Sequence, residues 1–434
     1  MRKTVNACIA VIFIVCICTV TVLTLSEYGR KYAYGFFKSY KDRLDDDSDI
    51  FDNVEARIYK LNYNAENRLW GRDALRHLTV RFQMALPGKD IVSIGGASMV
   101  HLTSGGYYNL MDGPLAQSKI DDITEFAEKA ADMSGAKTLF VYCHCALFED
   151  GLLPGDTRYL DNNGAFADEM LASLSANGVQ TTDSRASYVR AGLTMDEAAN
   201  KSDVHWTHIA ALETAYDAAR ALSDMGINAD YAALERSRFT DEVHPSLLMG
   251  EYARRVGNAL VIPDDVHVLY PSYDTCVVYE ELNYDYSYAE AAFDEAVLNY
   301  QNAETDEKLA YQYLRRDGTF REAVINYDNL APDEGGYSST AYYIYGHYLA
   351  QTHTHNESAP ESTVLVFKDS YGTPVSAFLA LSCRDVYAVD LRSTHKTMLE
   401  WVEEIRPDAV IFAYSQQMLR DIEYVIDDGT GNDL

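Results

Sequence analysis

Cysteine is scarce in this 434-residue chain, and its placement excludes a fold held together by disulfides. Of the seven cysteines, three fall within an apolar run near the N-terminus, which leaves four for the rest of the chain. Four scattered cysteines are too few for a disulfide framework. Cys143-His144-Cys145 has the residue types of a metal site, but no second Cys/His pair lies at ligand spacing. We therefore expect neither a metal nor another cofactor.

Basic residues are also in short supply, with 36 Lys and Arg against 66 Asp and Glu and a formal net charge of −30. Nucleic acids are bound by clustered Lys and Arg, so this balance argues against DNA or RNA as a partner. The same charge would repel anionic lipid headgroups, and the folded part should stand away from a membrane surface. No internal repeat or low-complexity tract is evident, while 47% apolar residues can form a large core.

The N-terminus has the pattern of a membrane anchor. Arg2 and Lys3 precede an apolar run whose length of about 20 residues suits a spanning helix. No small-residue cleavage site follows, so residues 1–25 predict an uncleaved signal anchor, and residues 26–50 predict an acidic juxtamembrane linker. The basic residues of that linker outnumber the two upstream charges. This charge balance argues against an anchor whose folded part lies outside the cell.

From about residue 115, helix and strand patterns alternate. This alternation predicts an α/β fold with a parallel sheet covered by helices on both faces, within a domain spanning residues 51–434. A Tyr-rich stretch from about 226 to 345 interrupts the alternation and predicts a β-containing insertion. The predicted helices are 118–133, 165–176, 207–222, 374–381 and 397–405, and the predicted strands are 137–142, 179–182, 364–367, 386–391 and 409–414.

Ser370 directly follows one of these strands. Ligands of open parallel sheets bind outside the carboxyl ends of the strands, so its hydroxyl is expected at that edge. Backbone N–H groups at the start of the following helix would then point at a developing oxyanion. Gly372 would let the chain turn tightly there. An equally supported alternative is that Asp369 and Ser370 only cap this helix.

Asp203 and His205 supply the groups that would activate such a serine. A serine is a poor nucleophile unless a base takes its proton, and a carboxylate orients that base best. In an extended stretch, positions i and i+2 point to the same side. We therefore predict Ser370 as nucleophile, His205 as base and Asp203 as orienting acid, with Trp206 packed behind. The alternative is a helix cap followed by a surface histidine, and His208 is a competing base ranked lower because it lies in the next helix.

Three segments resemble signatures of the bacterial DHHW family, which is related to the alginate O-acetyltransferase proteins with SGNH-hydrolase-like domains. Residues 203–207 (Asp-Val-His-Trp-Thr) resemble the first signature, residues 367–372 the second, and residues 389–392 its Asp-x-Arg element. The similarity runs from about residue 85 to 420. It implies an SGNH-hydrolase-like sheet in which the Asp/His motif precedes the serine, the permuted order of the acetyltransferase relatives.

The resemblance implies the same roles for Ser370, His205 and Asp203, and it places Arg392 near the acyl or sugar site, with a salt bridge as the equal alternative. Val204 replaces the first histidine of the family's pair. Family members often carry Gly-Gly-Asn where this chain has Tyr345-Gly346-His347, so His347 or another donor would have to assist the oxyanion. The candidate substrate-binding residues are Arg392, Tyr371, Trp206 and His347.

The function that the resemblance implies is transfer of an O-acetyl group onto a cell-surface polysaccharide, outside the membrane, by a single-pass anchored protein. A multi-spanning membrane acyltransferase is the implied partner that would supply the acetyl group. Three alternatives stay open: a carbohydrate acetylesterase with the same triad, a catalytically silent glycan-binding protein of the same fold, and a structural scaffold in a surface assembly.

Overall fold

The structure is a computed structural model. It describes residues 72–85, 91–94, 97–110, 113–143, 147–155, 161–284, 311–333, 335–394 and 396–421. The chain divides into two compact units, residues 1–87 with 255–257, and residues 88–254 with 258–434. The predicted anchor and acidic linker lie outside the described residues. Among the residues that are described, no helix is long and apolar enough to cross a membrane.

The described strands and helices follow one another along most of the chain. The strands are β1 (Ile91–Ile94), β2 (Ala97–His101), β3 (Tyr107–Asn109), β4 (Lys137–Cys143), β5 (Gln180–Asp183), β6 (Phe239–Leu248), β7 (Asp264–Pro271), β8 (Val277–Tyr284), β9 (Tyr311–Gly318), β10 (Gln351–Asn356), β11 (Thr363–Lys368), β12 (Asp385–Val389) and β13 (Ala409–Ser415). The α-helices are α1 (Arg72–Met84), α2 (Gln117–Ser134), α3 (Asn163–Ala176), α4 (Ser184–Ala191), α5 (Met195–Ala198), α6 (His208–Asp224), α7 (Glu251–Val256), α8 (Phe320–Ala323), α9 (Gly372–Leu379), α10 (Met398–Ile405) and α11 (Gln416–Asp421).

An eight-stranded sheet with the order β5-β4-β13-β11-β12-β10-β8-β9 forms the centre of the second unit. The first five strands of that order pair in parallel, as the alternation predicts. The remaining three extend the sheet in antiparallel fashion, and β8 and β9 lie within the stretch predicted as an insertion. Two smaller antiparallel sheets, β1-β2-β3 and β6-β7, complete the strand pairing.

Helices cover both faces of the sheet, because successive side chains of the buried parallel strands point in opposite directions. On β11, Val364 and Val366 join a core with α6 and α9, whereas Leu365 and Phe367 join a second core with α2, α3 and α10. All four side chains are fully buried, and each contributes about 1.5–3 kcal/mol of burial free energy. The predicted helical cover on both faces is confirmed.

Strand β12 ends two residues earlier than the predicted strand 386–391. Its last residue is Val389, and Asp390 then starts a 3-10 turn by accepting the backbone N–H of Arg392 at 3.0 Å. An Asp side chain that binds its own backbone two residues on favours a turn over a strand. That signal was present in the sequence, but the apolar run concealed it.

Candidate active site

Ser370 lies between β11 and α9, at the carboxyl edge of the parallel strands. The turn around it is fixed by Asp369. The Asp369 Oδ1 atom accepts the N–H groups of Tyr371 at 2.9 Å and Gly372 at 3.3 Å, while Oδ2 accepts the N–H and the hydroxyl of Ser415 at 2.8 and 2.7 Å. Asp369 therefore binds N–H groups at the start of α9, where Tyr371 is the N-cap residue, whereas the Ser370 side chain is directed elsewhere.

The hydrogen bonds to Asp369 change which backbone groups could bind an oxyanion. The N–H groups of Tyr371 and Gly372 at the helix start are already paired, contrary to what we expected from the sequence. Within the described part of the chain, the Ser370 N–H has no hydrogen-bond partner. Gly372 is required for space, since a Cβ atom there would lie 2.6 Å from the Ala413 carbonyl oxygen. Ser370 N–H is thus the backbone donor that remains near the hydroxyl.

Asp203 and His205 lie on a loop that is closed by a β-bridge between Ala199 and Trp206. The Asp203 Oδ1 atom accepts the backbone N–H of His205 at 3.0 Å and also the ring Nδ1–H of the same residue. The two side chains therefore meet through a turn in which Asp binds the backbone two residues on, and not through the extended geometry that the sequence suggested.

Half-buried Asp264 and buried Asn200 hold this loop from behind. Asp264 accepts the N–H groups of Lys201 and Ser202, each at 2.7 Å, and Asn200 donates to the carbonyl oxygens at the end of the loop at 3.0 and 3.1 Å. Burial raises the pKa of Asp264 to about 6, in spite of these hydrogen bonds. The loop shape therefore depends on β7, whose first residue is Asp264.

The carboxylate of Asp203 is buried and tightly enclosed. Its Oδ2 atom accepts the N–H of Glu251 at 2.7 Å, and a Cβ atom at position 250 would lie only 1.8 Å from that oxygen, so only glycine fits there. Burial by itself raises the pKa of this carboxyl, but His205 and the hydrogen bonds outweigh it and hold the pKa below its usual value. Sequence reasoning missed Gly250 and Glu251, because nothing in their local pattern points to a residue 48 positions away.

His205 reaches Ser370 across 165 residues of sequence. The His205 Nε2 atom lies 2.8 Å from the Ser370 Oγ atom. Because Nδ1–H is assigned to the Asp203 carboxylate, the lone pair on Nε2 faces the serine hydroxyl. The imidazole stacks on the Tyr342 ring, with 4.0 Å between the centroids and 15° between the planes. This geometry suits proton transfer from Ser370 to His205.

Tyr371 and Trp206 support the site in different ways. The Tyr371 hydroxyl donates to the Val204 carbonyl oxygen at 2.6 Å, and its ring centroid lies 4.7 Å from that of His205, so it links the two loops. Trp206 has 0% exposure and donates its indole N–H to the Tyr342 hydroxyl at 2.9 Å. Trp206 therefore packs behind His205, out of reach of a substrate.

His208, the competing base, is occupied with main-chain carbonyl groups. Its Nδ1 and Nε2 atoms lie 2.9 and 3.0 Å from the carbonyl oxygens of His267 and Tyr342. Burial lowers the pKa of His208 to about 4. The geometry therefore presents His205, and not His208, to the Ser370 hydroxyl.

Arg392 and His347 both lie against the Tyr348 ring. Arg392 donates two hydrogen bonds to the carboxylate of Asp390, at 2.8 and 2.5 Å, and its guanidinium carbon lies 5.8 Å from the centre of the Tyr348 ring. The salt bridge that the sequence analysis gave as the alternative role of Arg392 is thus present. The His347 Nδ1 atom accepts the N–H of Leu349 at 3.3 Å, and burial lowers the pKa of His347. The roles of Arg392 and His347 toward a substrate stay predictions.

Cys143 is buried at the end of β4, and His144 and Cys145 lie outside the described residues. Within the described ranges, no group of three or more His, Cys, Asp or Glu side chains could hold a metal ion.

Solved structures of similar fold cover most of the chain. The structure of a DHHW family protein from Eubacterium siraeum has a TM-score of 0.53 at 18% identity, and the match covers 78% of this chain and 96% of that one. Bacillus cereus PatB1 with a sulfonyl adduct has a TM-score of 0.53 at 13% identity, with 77% and 98% covered. The O-acetyltransferase domain of Pseudomonas putida AlgJ has a TM-score of 0.40 at 12% identity, with 75% and 93% covered.

No family model matches the chain, and no curated protein matches its sequence. The predicted resemblance is nevertheless confirmed at the level of fold: the chain is folded like a DHHW family protein and like PatB1.

Proposed function

We propose that the protein transfers an O-acetyl group onto a cell-surface polysaccharide through an acyl-serine intermediate on Ser370. The observation that carries this proposal is the hydrogen-bonded series Asp203, His205 and Ser370, in which the Nε2–Oγ distance is 2.8 Å. A neutral serine hydroxyl becomes a nucleophile when an oriented imidazole lies at this distance.

In the acylation step, the Ser370 Oγ atom attacks the acetyl carbonyl carbon while its proton passes to His205 Nε2. The carbonyl oxygen becomes an oxyanion, which the Ser370 N–H can stabilise. The Asp203 carboxylate stabilises the imidazolium and keeps its orientation. Collapse of the tetrahedral intermediate breaks the bond to the leaving group, which takes the proton from His205. Acetyl-Ser370 is the product of this half-reaction.

In the second step, a sugar hydroxyl gives its proton to His205 and attacks the acetyl-Ser370 carbonyl carbon. The new ester forms, the bond to Oγ breaks, and His205 returns the proton to Ser370. Water in place of the sugar would make the same site a carbohydrate acetylesterase. Competition between a sugar acceptor and water separates these two outcomes.

The fold of the solved neighbours supports this class of chemistry. One neighbour, PatB1, is described with a sulfonyl adduct. Sulfonyl fluorides react with activated hydroxyl nucleophiles, so they are a suitable second probe of Ser370. The N-terminal apolar run supports a single-pass anchor, and the resemblance to the acetyltransferase relatives supports a folded unit outside the cell, where a multi-spanning membrane acyltransferase would deliver the acetyl group.

The test uses the full-length chain in detergent with p-nitrophenyl acetate. We expect release of nitrophenol and, by mass spectrometry of the intact protein and its peptides, one acetyl group on Ser370. Phenylmethylsulfonyl fluoride should block both and label the same residue. Ser370→Ala should abolish turnover and labelling while the circular-dichroism spectrum and melting temperature stay near wild type, because a half-buried turn hydroxyl contributes little to the core.

Equal nitrophenol release by wild type and Ser370→Ala would refute the proposed nucleophile. Absence of both turnover and adduct in the wild type would favour the glycan-binding alternative. Acetylation of Ser370 without any transfer to added oligosaccharides would favour the esterase.

A further inference from the structure

Lys368, the last residue of β11, is a buried cation two residues from the proposed nucleophile. It is 1% exposed, and its ammonium group donates to the Tyr348 carbonyl oxygen at 2.9 Å. Burial lowers the pKa of Lys368 to about 8, and the charge of Asp390 is the largest effect in the opposite direction. A buried ammonium is costly unless it is paired and hydrogen-bonded, so its contact with Tyr348 needs an explanation.

A buried anion holds the other side of the same turn. Glu281 on β8 is 6% exposed, and its carboxylate accepts the hydroxyl of Tyr279 and the N–H of His347 at 3.4 Å. The segment 347–348 thus presents an N–H to a buried carboxylate and a C=O to a buried ammonium. These two charges fix both the position and the orientation of the turn.

The segment 343–348, whose last two residues these charges bind, packs against residues near Ser370. At one end, the Tyr343 ring meets the His205 ring edge-on, with 5.7 Å between the centroids. At the other end, a Cβ atom on Gly346 would lie 3.6 Å from the Thr373 methyl group and 2.9 Å from the Tyr279 hydroxyl. His205 contacts the Ser370 hydroxyl, and Thr373 belongs to the helix that follows Ser370, so segment 343–348, here called the wall, packs against the base and against the start of that helix.

The wall continues through aromatic contacts. The Tyr343 ring lies 5.2 Å from that of Tyr348, which in turn lies 4.6 Å from His347 and under the guanidinium of Arg392. Tyr343, His347 and Tyr348 are all half-buried, so each keeps part of its surface exposed. A movement of the turn would therefore shift the Tyr343 ring relative to His205, the residue that contacts Ser370.

We propose that Lys368 and Glu281 are positioning residues that fix segment 343–348 as a rigid wall beside Ser370, and that this wall restricts the site to short acyl groups. The inference rests on the proposed acyl transfer, and it adds a determinant of acyl-chain specificity. Lys368 and Glu281 act through the turn and do not touch the acyl group.

The test is the ratio of kcat/KM for p-nitrophenyl acetate to that for p-nitrophenyl hexanoate. The wild type should prefer acetate strongly. Lys368→Met removes the donor at similar length, so the turn is released and the ratio should fall at least fivefold. Glu281→Gln keeps an acceptor for the His347 N–H and should lower the ratio two- to threefold. Lys129→Met, at a surface lysine of α2 paired with Glu125, is the matched control and should leave the ratio unchanged.

A purely structural role would reduce activity on both esters alike, together with the melting temperature. An unchanged ratio in folded Lys368→Met would therefore overturn the inference. If that variant does not fold, Tyr343→Ala decides, because it opens the wall directly and leaves both charges in place. A wild-type ratio in Tyr343→Ala would mean that no such wall exists.

The proposed function and the proposed wall are refuted by different outcomes. A wild type that acetylates no serine refutes acyl transfer, whereas a wild type that acetylates Ser370 and accepts acetate and hexanoate equally refutes only the wall.

Discussion

Two loops of the molecule each carry a buried aspartate, and the two carboxylates have different tasks. Asp203 lies two residues before His205 and binds its ring, whereas Asp369 lies one residue before Ser370 and binds the backbone and side chain of Ser415. Both are almost completely buried. The partner, and not the burial, decides whether such a carboxylate orients a side chain or shapes the main chain.

The pKa directions of the two carboxyls follow this difference. Burial by itself raises the pKa of both carboxyls. The charge of His205 and several N–H donors nevertheless bring the pKa of Asp203 below its usual value. For Asp369 the hydrogen bonds from Ser415 and the charge of Arg392 are not sufficient, and the pKa is raised. We therefore expect substitutions at Asp203 to affect turnover first, and substitutions at Asp369 to affect stability first.

Asp203→Asn should have the largest effect. The Asn amide would donate to His205 Nδ1, which moves the ring proton to Nε2 and leaves no lone pair for the Ser370 hydroxyl. In the Ser-His-Asp template this wrong tautomer lowers kcat by about 10⁴-fold, and we expect a loss of roughly 10³–10⁴-fold in acetate release here. His205→Asn should lose as much, because it removes the base itself.

Steady-state hydrolysis of p-nitrophenyl acetate measures both losses. Asp203→Glu is an informative comparison, since it keeps the charge but has no room beside Gly250. A kcat for Asp203→Asn within tenfold of wild type would mean that Asp203 does not set the tautomer.

Gly250→Ala should have the next largest effect. The new methyl group would overlap the Asp203 carboxylate, so that carboxylate must move away from its place beside His205. Displacements of about 1 Å at a catalytic group cost roughly 10²-fold in rate, and we expect a loss of that size. Gly155→Ala, where an added Cβ meets nothing within 4 Å, is the matched control. The hypothesis is wrong if both glycine variants keep wild-type kcat.

Asp369→Asn should act on stability. An Asn side chain can still accept from the N–H of Tyr371, but its amide cannot accept from Ser415, so a buried N–H loses its partner. An unsatisfied buried group costs about 1–3 kcal/mol of unfolding free energy. Urea unfolding followed by tryptophan fluorescence measures this loss. Asp369→Asn as stable as the wild type would show that the hydrogen bonds from Ser415 are not what holds the turn.

The sequence predicted the parallel strands well, because apolar runs such as Leu365–Phe367 have few alternatives in a large α/β domain. It also brought together Ser370 and His205, but only because residue types and spacing suggested one reaction class. The choice between a helix cap and a nucleophile stayed undecided for Asp369 and Ser370, since Ser415 and His205, which bind their side chains, lie 46 and 165 residues away. Gly250 and Lys368 were missed because their roles depend on close approach and burial, which are set by tertiary packing.

His208→Asn should have the smallest effect on turnover. Its ring atoms face the carbonyl oxygens of His267 and Tyr342, and it does not contact Ser370. We expect kcat for p-nitrophenyl acetate within threefold of the wild type at pH 7. A loss as large as that of His205→Asn would move the base to His208.

The same variant should change how stability depends on pH. Burial lowers the pKa of His208 from 6.5 to about 4, so between these values the unfolded chain binds a proton that the folded protein does not. Stability from this group is complete above pH 6.5 and falls as the pH approaches 4, by roughly 3 kcal/mol in total. Chemical unfolding at pH 7, 5.5 and 4.5 should therefore show a smaller decline in His208→Asn than in the wild type. Parallel declines would mean that the folded protein accommodates a protonated His208, with both of its N–H groups donating to the two carbonyl oxygens.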